Sequence, residues 1–170
     1  KNSPAYWDLS KEPTKSQYEL FKKFDKFGSE EYEKLSLYAH SLGVDFTSTP
    51  FDYESADYLY DMVDFYKISS SDLSNIPFIR YIGEKGKPVY ISTGASYLSE
   101  IDEAIRALQE INCQDIALLH CVLSYPTRPE NANLRIIETL KKCFPDVKIG
   151  YSDHVAPDET MMTLATAYLL

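Results

Sequence analysis

Cysteine is scarce in this chain of 170 residues: only Cys113, Cys121 and Cys143 are present. Their number is odd, their spacing is wide, and no Cys-x-x-Cys pair occurs. That argues against a disulfide scaffold and for a reduced, cytoplasmic protein. Positive charge is short as well, with 17 Lys and Arg against 26 Asp and Glu and a formal net charge of -9. Such a chain is a poor partner for duplex nucleic acid or an anionic membrane. No apolar run approaches the ~20 residues that cross a bilayer, and no signal-peptide pattern opens the sequence. A Gly-x-Gly-x-x-Gly turn is missing too. What remains is ordinary globular composition, 44% hydrophobic and 25% charged, sufficient for one core. The fourteen tyrosines are scattered and read as half-buried packing residues.

Residues 1–13, with Pro4, Trp7 and Pro13, read as a loop. Thr14-Lys15-Ser16-Gln17 has the form of a capping box ahead of Tyr18, Phe21 and Phe24 at helical spacing. A second helix is expected from about Ser29 to Leu42, with Gly43 as a left-handed cap. From there a strand, a polar strand end and an amphipathic helix recur. The predicted strands lie in Val44–Phe51, Phe65–Ile68, Pro88–Ile91, Asp115–Cys121 and Val147–Tyr151. Helical stripes follow them: Ala56, Leu59, Tyr60 and Val63; then Pro77, Phe78, Ile79 and Ile82. Next come Ile101, Ala104, Ile105, Leu108 and Ile111 behind a Ser99 cap. Leu134, Ile137 and Leu140 mark another helix, and Met161, Leu164, Ala165 and Tyr168 the last, with Pro157 near its start.

The strand centres are spaced by roughly 21 to 31 residues, the length of a βα unit. Near-continuous apolar strands alternating with helices predict a parallel sheet with both faces covered. A doubly wound sheet and a (β/α)8 barrel both fit. Polar residues at the C-terminal end of every strand favour the barrel. Five strands do not close one, so the expectation is a piece of a longer protein: an incomplete barrel with two open sheet edges. The alternative is an open five-stranded domain.

Chemistry-bearing residues gather at the strand ends. Lys148-Ile149-Gly150-Tyr151 opens into Ser152-Asp153-His154, where an imidazole can hold a metal and a hydroxyl an oxyanion. Lys67 lies inside the apolar strand Phe65–Ile68. It either snorkels to water from a strand end, or faces a site to bind phosphate or form a Schiff base. Thr49, Ser70, Ser92 and Ser152 each follow a different strand. Singly each is a turn or cap residue; together with Lys67 they describe an oxyanion pocket. Asp72 and Asp153 are strand-exit carboxylates fit to ligate metal, orient a histidine or move a proton. Tyr125-Pro126 reads as a turn presenting a phenol, His120 as a satisfied core histidine, and His40 as surface.

Several stretches in this order and spacing resemble the sialic acid synthase (N-acetylneuraminate synthase) family, with its legionaminate and pseudaminate synthases and spore-coat polysaccharide homologues. They are Phe46–Phe51, Tyr66–Asp72, Gly86–Gly94, Leu118–Thr127, Asn133–Arg135 and Gly150–His154. The resemblance implies a (β/α)8 TIM barrel with outer helices, of which 1–170 would hold about strands three to seven. A small antifreeze-like domain would lie outside this chain. It implies condensation of phosphoenolpyruvate with an N-acetylated hexosamine aldehyde, N-acetylmannosamine-like. The products would be a nine-carbon 2-keto sugar acid and phosphate, with help from a divalent metal, Mn2+ or Mg2+. By motif position, Thr49, Lys67, Ser70, Ser92 and Ser152 look like phosphoenolpyruvate ligands. Asp72 looks like an acid near the reacting carbons, Tyr125 like a sugar contact and His154 like a metal ligand. We expect the full-length protein to be a homodimer. Two positions depart from the family pattern. Ser69-Ser70-Ser71 stands for a usual Gly-Ser-Gly, and Leu123 replaces a generally polar residue near the phosphate. Other readings are a phosphoenolpyruvate-aldose synthase acting on a shorter sugar, and a non-catalytic sugar-binding homologue.

Overall fold

The computed structural model describes residues 7–157 and 159–170; Pro4 of the expected N-terminal loop lies outside them. Four strands, β1 (Tyr66–Ile68), β2 (Val89–Ser92), β3 (Ile116–His120) and β4 (Lys148–Tyr151), pair in parallel in the order β1-β2-β3-β4. Helices α1 (Gln17–Phe24), α2 (Ser29–Ser41) and α3 (Tyr53–Tyr58) precede the sheet. Between successive strands lie α4 (Ile76–Gly83), α5 (Leu98–Glu110) and α6 (Ile136–Cys143), and α7 (Met162–Leu169) follows β4. Crossovers between parallel strands are right-handed. A strand order that runs one way therefore puts every crossover helix on one face. The result is an open portion of a (β/α)8 barrel rather than a doubly wound sheet, whose strand order would reverse.

Pairing register decides which residues meet. Tyr66, Val89 and Ile116 are aligned across the sheet, as are Ile68, Ile91, Leu118 and Ile149. Side chains alternate faces along a strand, so these rows share the helix-covered face and form the core with Ile79, Ile82, Ile101, Ile105 and Leu108. The Tyr66 hydroxyl, sealed in this layer, donates to the Ala56 carbonyl at 2.6 Å. Burial pushes its pKa above the ordinary phenol value. The intervening row, Lys67, Tyr90, Ala117 and Lys148, necessarily lies on the opposite face. In a closed barrel that face is the interior.

The expected first strand does not form. Residues 44–50 join no ladder. One backbone bond, Asp64 N–H to the Phe46 carbonyl at 2.9 Å, fastens the segment beside β1. The return bond is taken by a side chain, because the Asp64 carboxylate accepts the Phe46 N–H at 2.7 Å. Those two contacts, with Thr47 Oγ1 donating to the Phe65 carbonyl at 2.8 Å, replace strand pairing. His40 lies 2.8 Å from the same carboxylate, so it anchors α2 to this segment rather than standing idle on the surface. The Phe46 amide, then His40, hold the Asp64 pKa below the usual carboxylate range.

Local caps also differ from expectation. The first helix is capped by Ser16, whose hydroxyl accepts from Glu19 N–H, two residues beyond the expected Thr14. The fifth helix starts behind Tyr97 rather than Ser99, and the Glu100 carboxylate takes the Tyr97 N–H at 2.7 Å. Gly43 adopts the left-handed conformation (φ 71°) as expected. The α3 helix stops at Tyr58; Leu59 and Val63 are buried beyond it. The α6 helix begins at Ile136, leaving Leu134 in the preceding turn. The last helix buries no residue, and Tyr168 is 91% exposed.

The α5 stripe of Ile101, Ala104, Ile105 and Leu108 is buried as its spacing predicts. Leu108 has no solvent exposure. In the full-length protein, Leu108→Ala should lower unfolding free energy by about 2–5 kcal/mol, the range for a leucine deleted from a close-packed core. Urea denaturation measures it; a loss below about 1 kcal/mol would mean this layer is loosely packed.

Candidate active site at the C-terminal end of the sheet

Lys67 sits at the middle of β1 on the inner face, half-buried. Among the described residues no carboxylate pairs with its ammonium. Desolvation lowers its pKa from the ordinary lysine value. One layer further along, Ser92 ends β2 on the same face, level with Leu119 and Gly150. It is 3% exposed, and its Oγ is buried with no hydrogen-bond partner. A buried hydroxyl left without a partner costs free energy. Its placement therefore points to a bound group.

Beyond the strands the chains converge. The ladder continues past β2, with Thr93 N–H donating to the Leu119 carbonyl at 3.0 Å. Gly94 consequently arrives opposite Cys121. A Cβ at Gly94 would lie 2.9 Å from Cys121 Sγ, 3.1 Å from Ser70 Oγ and 3.2 Å from Leu123 Cδ2. The missing side chain is what allows Ser70, Cys121 and Leu123 to close around one point. Ser70 and Asp72 belong to a one-turn 3₁₀ segment (Ser70–Asp72) capped by Ser69, whose φ is −65°. The serines in place of glycines therefore carry no positive φ. Asp72 is half-buried and accepts from Ser71 Oγ at 3.2 Å.

The second half of the site follows β4. Ser152 N–H donates to the His120 carbonyl at 2.8 Å, extending the ladder by one residue. His154 Nδ1 lies 2.6 Å from the Val122 carbonyl, an acceptor only. The proton therefore sits on Nδ1, and Nε2 of the neutral ring carries the lone pair. Nε2 is 3.5 Å from Ser152 Oγ. A second nitrogen fixed by a carbonyl is the usual arrangement of a metal-ligating imidazole, so His154 fits a metal as one ligand. Among the described residues no group of three or more His, Cys, Asp or Glu could complete the set. Asp153 is engaged in its own turn, accepting from the Tyr151 hydroxyl at 2.9 Å and from Val155 N–H at 2.8 Å. Burial, then that bond, raises the Tyr151 pKa.

Tyr125 joins this half. Thr127 N–H donates to the His154 carbonyl at 2.7 Å, tying the loop after β3 to the loop after β4. The Tyr125 ring then lies 4.2 Å from the His154 ring. A cavity of about 570 Å³, lined by Gln17, Phe21, Leu123, Ser124 and Tyr125, opens beside it. His120 is not part of the opening. It lies on the helix-covered face, 5% exposed, with Nε2 2.7 Å from the Ala132 carbonyl and its ring stacked on Tyr151. Thr49 is half-buried two residues past Thr47, whose hydroxyl is fastened to Phe65. Among the described residues its own hydroxyl makes no hydrogen bond to the others.

Sequence reasoning did not pick out Gly94, Cys121 or the Val122 carbonyl. The first two meet only through sheet register, and a backbone carbonyl has no residue signature. Gly94→Ala should displace Cys121, the nearest neighbour, and with it Ser70 or Leu123 by a few tenths of an ångström. The expected outcome is weakened binding of inorganic phosphate to the full-length protein with an unchanged melting profile. Calorimetry checks it, and undiminished affinity would show that Ser70 is not part of the binding geometry.

Comparison with known proteins gives this arrangement a context. The NeuB family profile matches residues 1–169. An uncharacterized protein of Methanocaldococcus jannaschii is 46% identical over 138 residues, covering 81% of this chain and 40% of that protein. The N-acetylneuraminate-9-phosphate synthase of Mus musculus is 33% identical over 138 residues, covering 81% of this chain and 38% of the enzyme. The chain thus spans about two-fifths of the length of these relatives. Among solved structures, the N-acetylneuraminic acid synthetase of Leptospira borgpetersenii, in complex with citrate, superposes with a TM-score of 0.80. Its identity is 32%, over 92% of this chain and 56% of that one. Across nearly its whole length, this chain belongs to the NeuB family.

Proposed function

We propose that the full-length protein condenses phosphoenolpyruvate with the open-chain aldehyde of an N-acetylated hexosamine, N-acetylmannosamine-like. The products are a nine-carbon 2-keto sugar acid of the sialic acid type and phosphate. The observation that carries this reading is the orphaned, buried Ser92 hydroxyl on the same inner face as Lys67. A pocket with a half-buried cation and a spare hydroxyl donor is built for an oxyanion. The synthase names among the relatives support the choice of reaction.

The chain's own groups have distinct tasks in this scheme. Lys67 and the hydroxyls of Ser70, Ser92, Ser152 and Thr49 hold the phosphate and carboxylate of phosphoenolpyruvate. Fixing these charges away from bulk water orients the enol carbon toward the aldehyde. As the new carbon–carbon bond forms, positive charge grows on the enol-ether carbon. Asp72 lies one short turn after β1 and stabilises that charge or takes the proton of the water that adds there. Loss of phosphate then leaves the 2-keto acid. Tyr125 contacts the sugar. His154, through Nε2, would hold one position of a divalent metal, Mn2+ or Mg2+, whose chemistry there is Lewis-acid polarisation of the aldehyde oxygen.

The same reading makes 1–170 part of one barrel catalytic domain in a homodimeric protein, with a small antifreeze-like domain outside this chain. The cytoplasm suits its free cysteines. Among the described residues no helix is long and apolar enough to cross a membrane.

In the full-length protein, Lys67→Met should raise the phosphoenolpyruvate KM about ten- to a hundredfold, the worth of one charge-assisted hydrogen bond. Phosphoenolpyruvate affinity should also decline as pH rises through the Lys67 pKa. Burial holds that pKa below the ordinary lysine value, and only the ammonium form binds the anion. Steady-state kinetics in a folded variant decide it; wild-type KM removes Lys67 from the site. For the metal, His154→Ala should abolish manganese-dependent activity and weaken Mn2+ binding measured by proton relaxation. His120→Ala should retain both; the reverse result would mean the wrong histidine has been assigned.

A further inference from the structure

Thr127 is nearly sealed, 2% exposed, between two segments that reach the mouth of the site. Its backbone N–H donates to the His154 carbonyl at 2.7 Å, and it pairs with Val155 in an isolated parallel bridge. Its hydroxyl turns the other way and donates to the Ser124 carbonyl at 2.8 Å. Ser124 Oγ in turn donates to the Pro126 carbonyl at 3.1 Å, so loop 124–127 is closed on itself. Tyr125 stands inside that loop, beside the cavity of about 570 Å³. Its side chain is largely exposed, yet its ring lies 4.2 Å from the His154 ring. A ring that exposed takes little of its position from burial. The loop that carries it supplies the rest, and Thr127 grips both that loop and the backbone of His154.

We propose that Thr127 is a positioning residue for the acceptor: its hydroxyl and its amide together hold Tyr125 at a set spacing from His154. This rests on the reading of the site given above, in which Tyr125 contacts the sugar and His154 faces the aldehyde oxygen. The sugar body and its reacting carbonyl then meet groups on two different loops. An error in the spacing of those loops misplaces the carbonyl relative to the enol carbon, and such errors are costly in rate. Threonine suits the task because its β-branched side chain is stiff about χ1, which keeps the hydroxyl aimed at one carbonyl. Valine preserves the shape and the N–H bond to His154 but removes the hydroxyl bond to Ser124. Serine restores that bond. Lys67, Ser70 and Ser92 lie on or after β1 and β2, outside the reach of this clamp.

The test compares Thr127→Val and Thr127→Ser in the full-length protein. The first readout is the imidazole proton resonance of His154 in histidine-labelled protein, assigned with His154→Ala. Tyr125→Leu gives the size of the ring-current shift that the phenol imposes. Thr127→Val should move the resonance toward its Tyr125→Leu position, and Thr127→Ser should leave it near the wild-type value. The second readout is steady-state kinetics. Thr127→Val should raise the KM for N-acetylmannosamine about fivefold, the worth of one hydrogen bond, with the phosphoenolpyruvate KM changed by less than about twofold. Thr127→Ser should recover the acceptor KM. An unmoved resonance in Thr127→Val overturns the proposal. A moved resonance with an unchanged acceptor KM overturns the link to the acceptor. Both KM values rising together with a lowered melting temperature overturns it as well, since that is general destabilisation. A wild-type protein that does not turn over N-acetylmannosamine overturns the reaction reading instead. The resonance then decides by itself whether Thr127 sets the spacing of Tyr125 from His154.

Discussion

Everything in this molecule depends on the register of a parallel ladder. The rows Tyr66-Val89-Ile116 and Ile68-Ile91-Leu118-Ile149 face the helices, and that commitment fixes the other face. A slip of one residue in β1 would send Lys67 into the apolar layer and Ile68 to the pocket. The hydrophobic effect, acting on one side of the sheet, thus places the polar groups on the other. No polar contact in the site is needed to position Lys67 or Ser92; burial of their neighbours suffices.

Where the site had to be assembled from several loops, backbone hydrogen bonds do the positioning. The His120 carbonyl carries the ladder on to Ser152, and the Val122 carbonyl sets the tautomer of His154. Thr127 links the two loops that bring Tyr125 against that imidazole. His120 illustrates the same division of labour from the inside. It packs on Tyr151 and bonds Ala132, so it supports the strand exits without facing them. The strand exits are held in place by residues that face away from them.

Much of this was legible in the chain. Apolar runs and period-3.6 stripes located four strands and their helices, and α5 buries Ile101, Ala104, Ile105 and Leu108 of its stripe, while Ile111 falls just past its end. The lysine in an apolar strand and the hydroxyls at strand ends stood out as anomalies for the same reason: each breaks a pattern whose cause is burial. The unread parts share a different cause. Val44–Phe51 reads as a strand and its exit loop, but the Asp64 carboxylate competes for the Phe46 amide, and that rivalry is between residues far apart in sequence. The convergence on Gly94 likewise needs three loops at once. Local pattern reports which face a residue takes, not which distant partner it meets there.

The solitary hydroxyl of Ser92 has a consequence for the molecule's energetics. Folding buries it without a hydrogen-bond partner among the described residues, a local cost of about 1–3 kcal/mol. Selection for stability alone would replace such a group with alanine. A serine here offsets part of the stability gained by the core in favour of a preplaced hydroxyl.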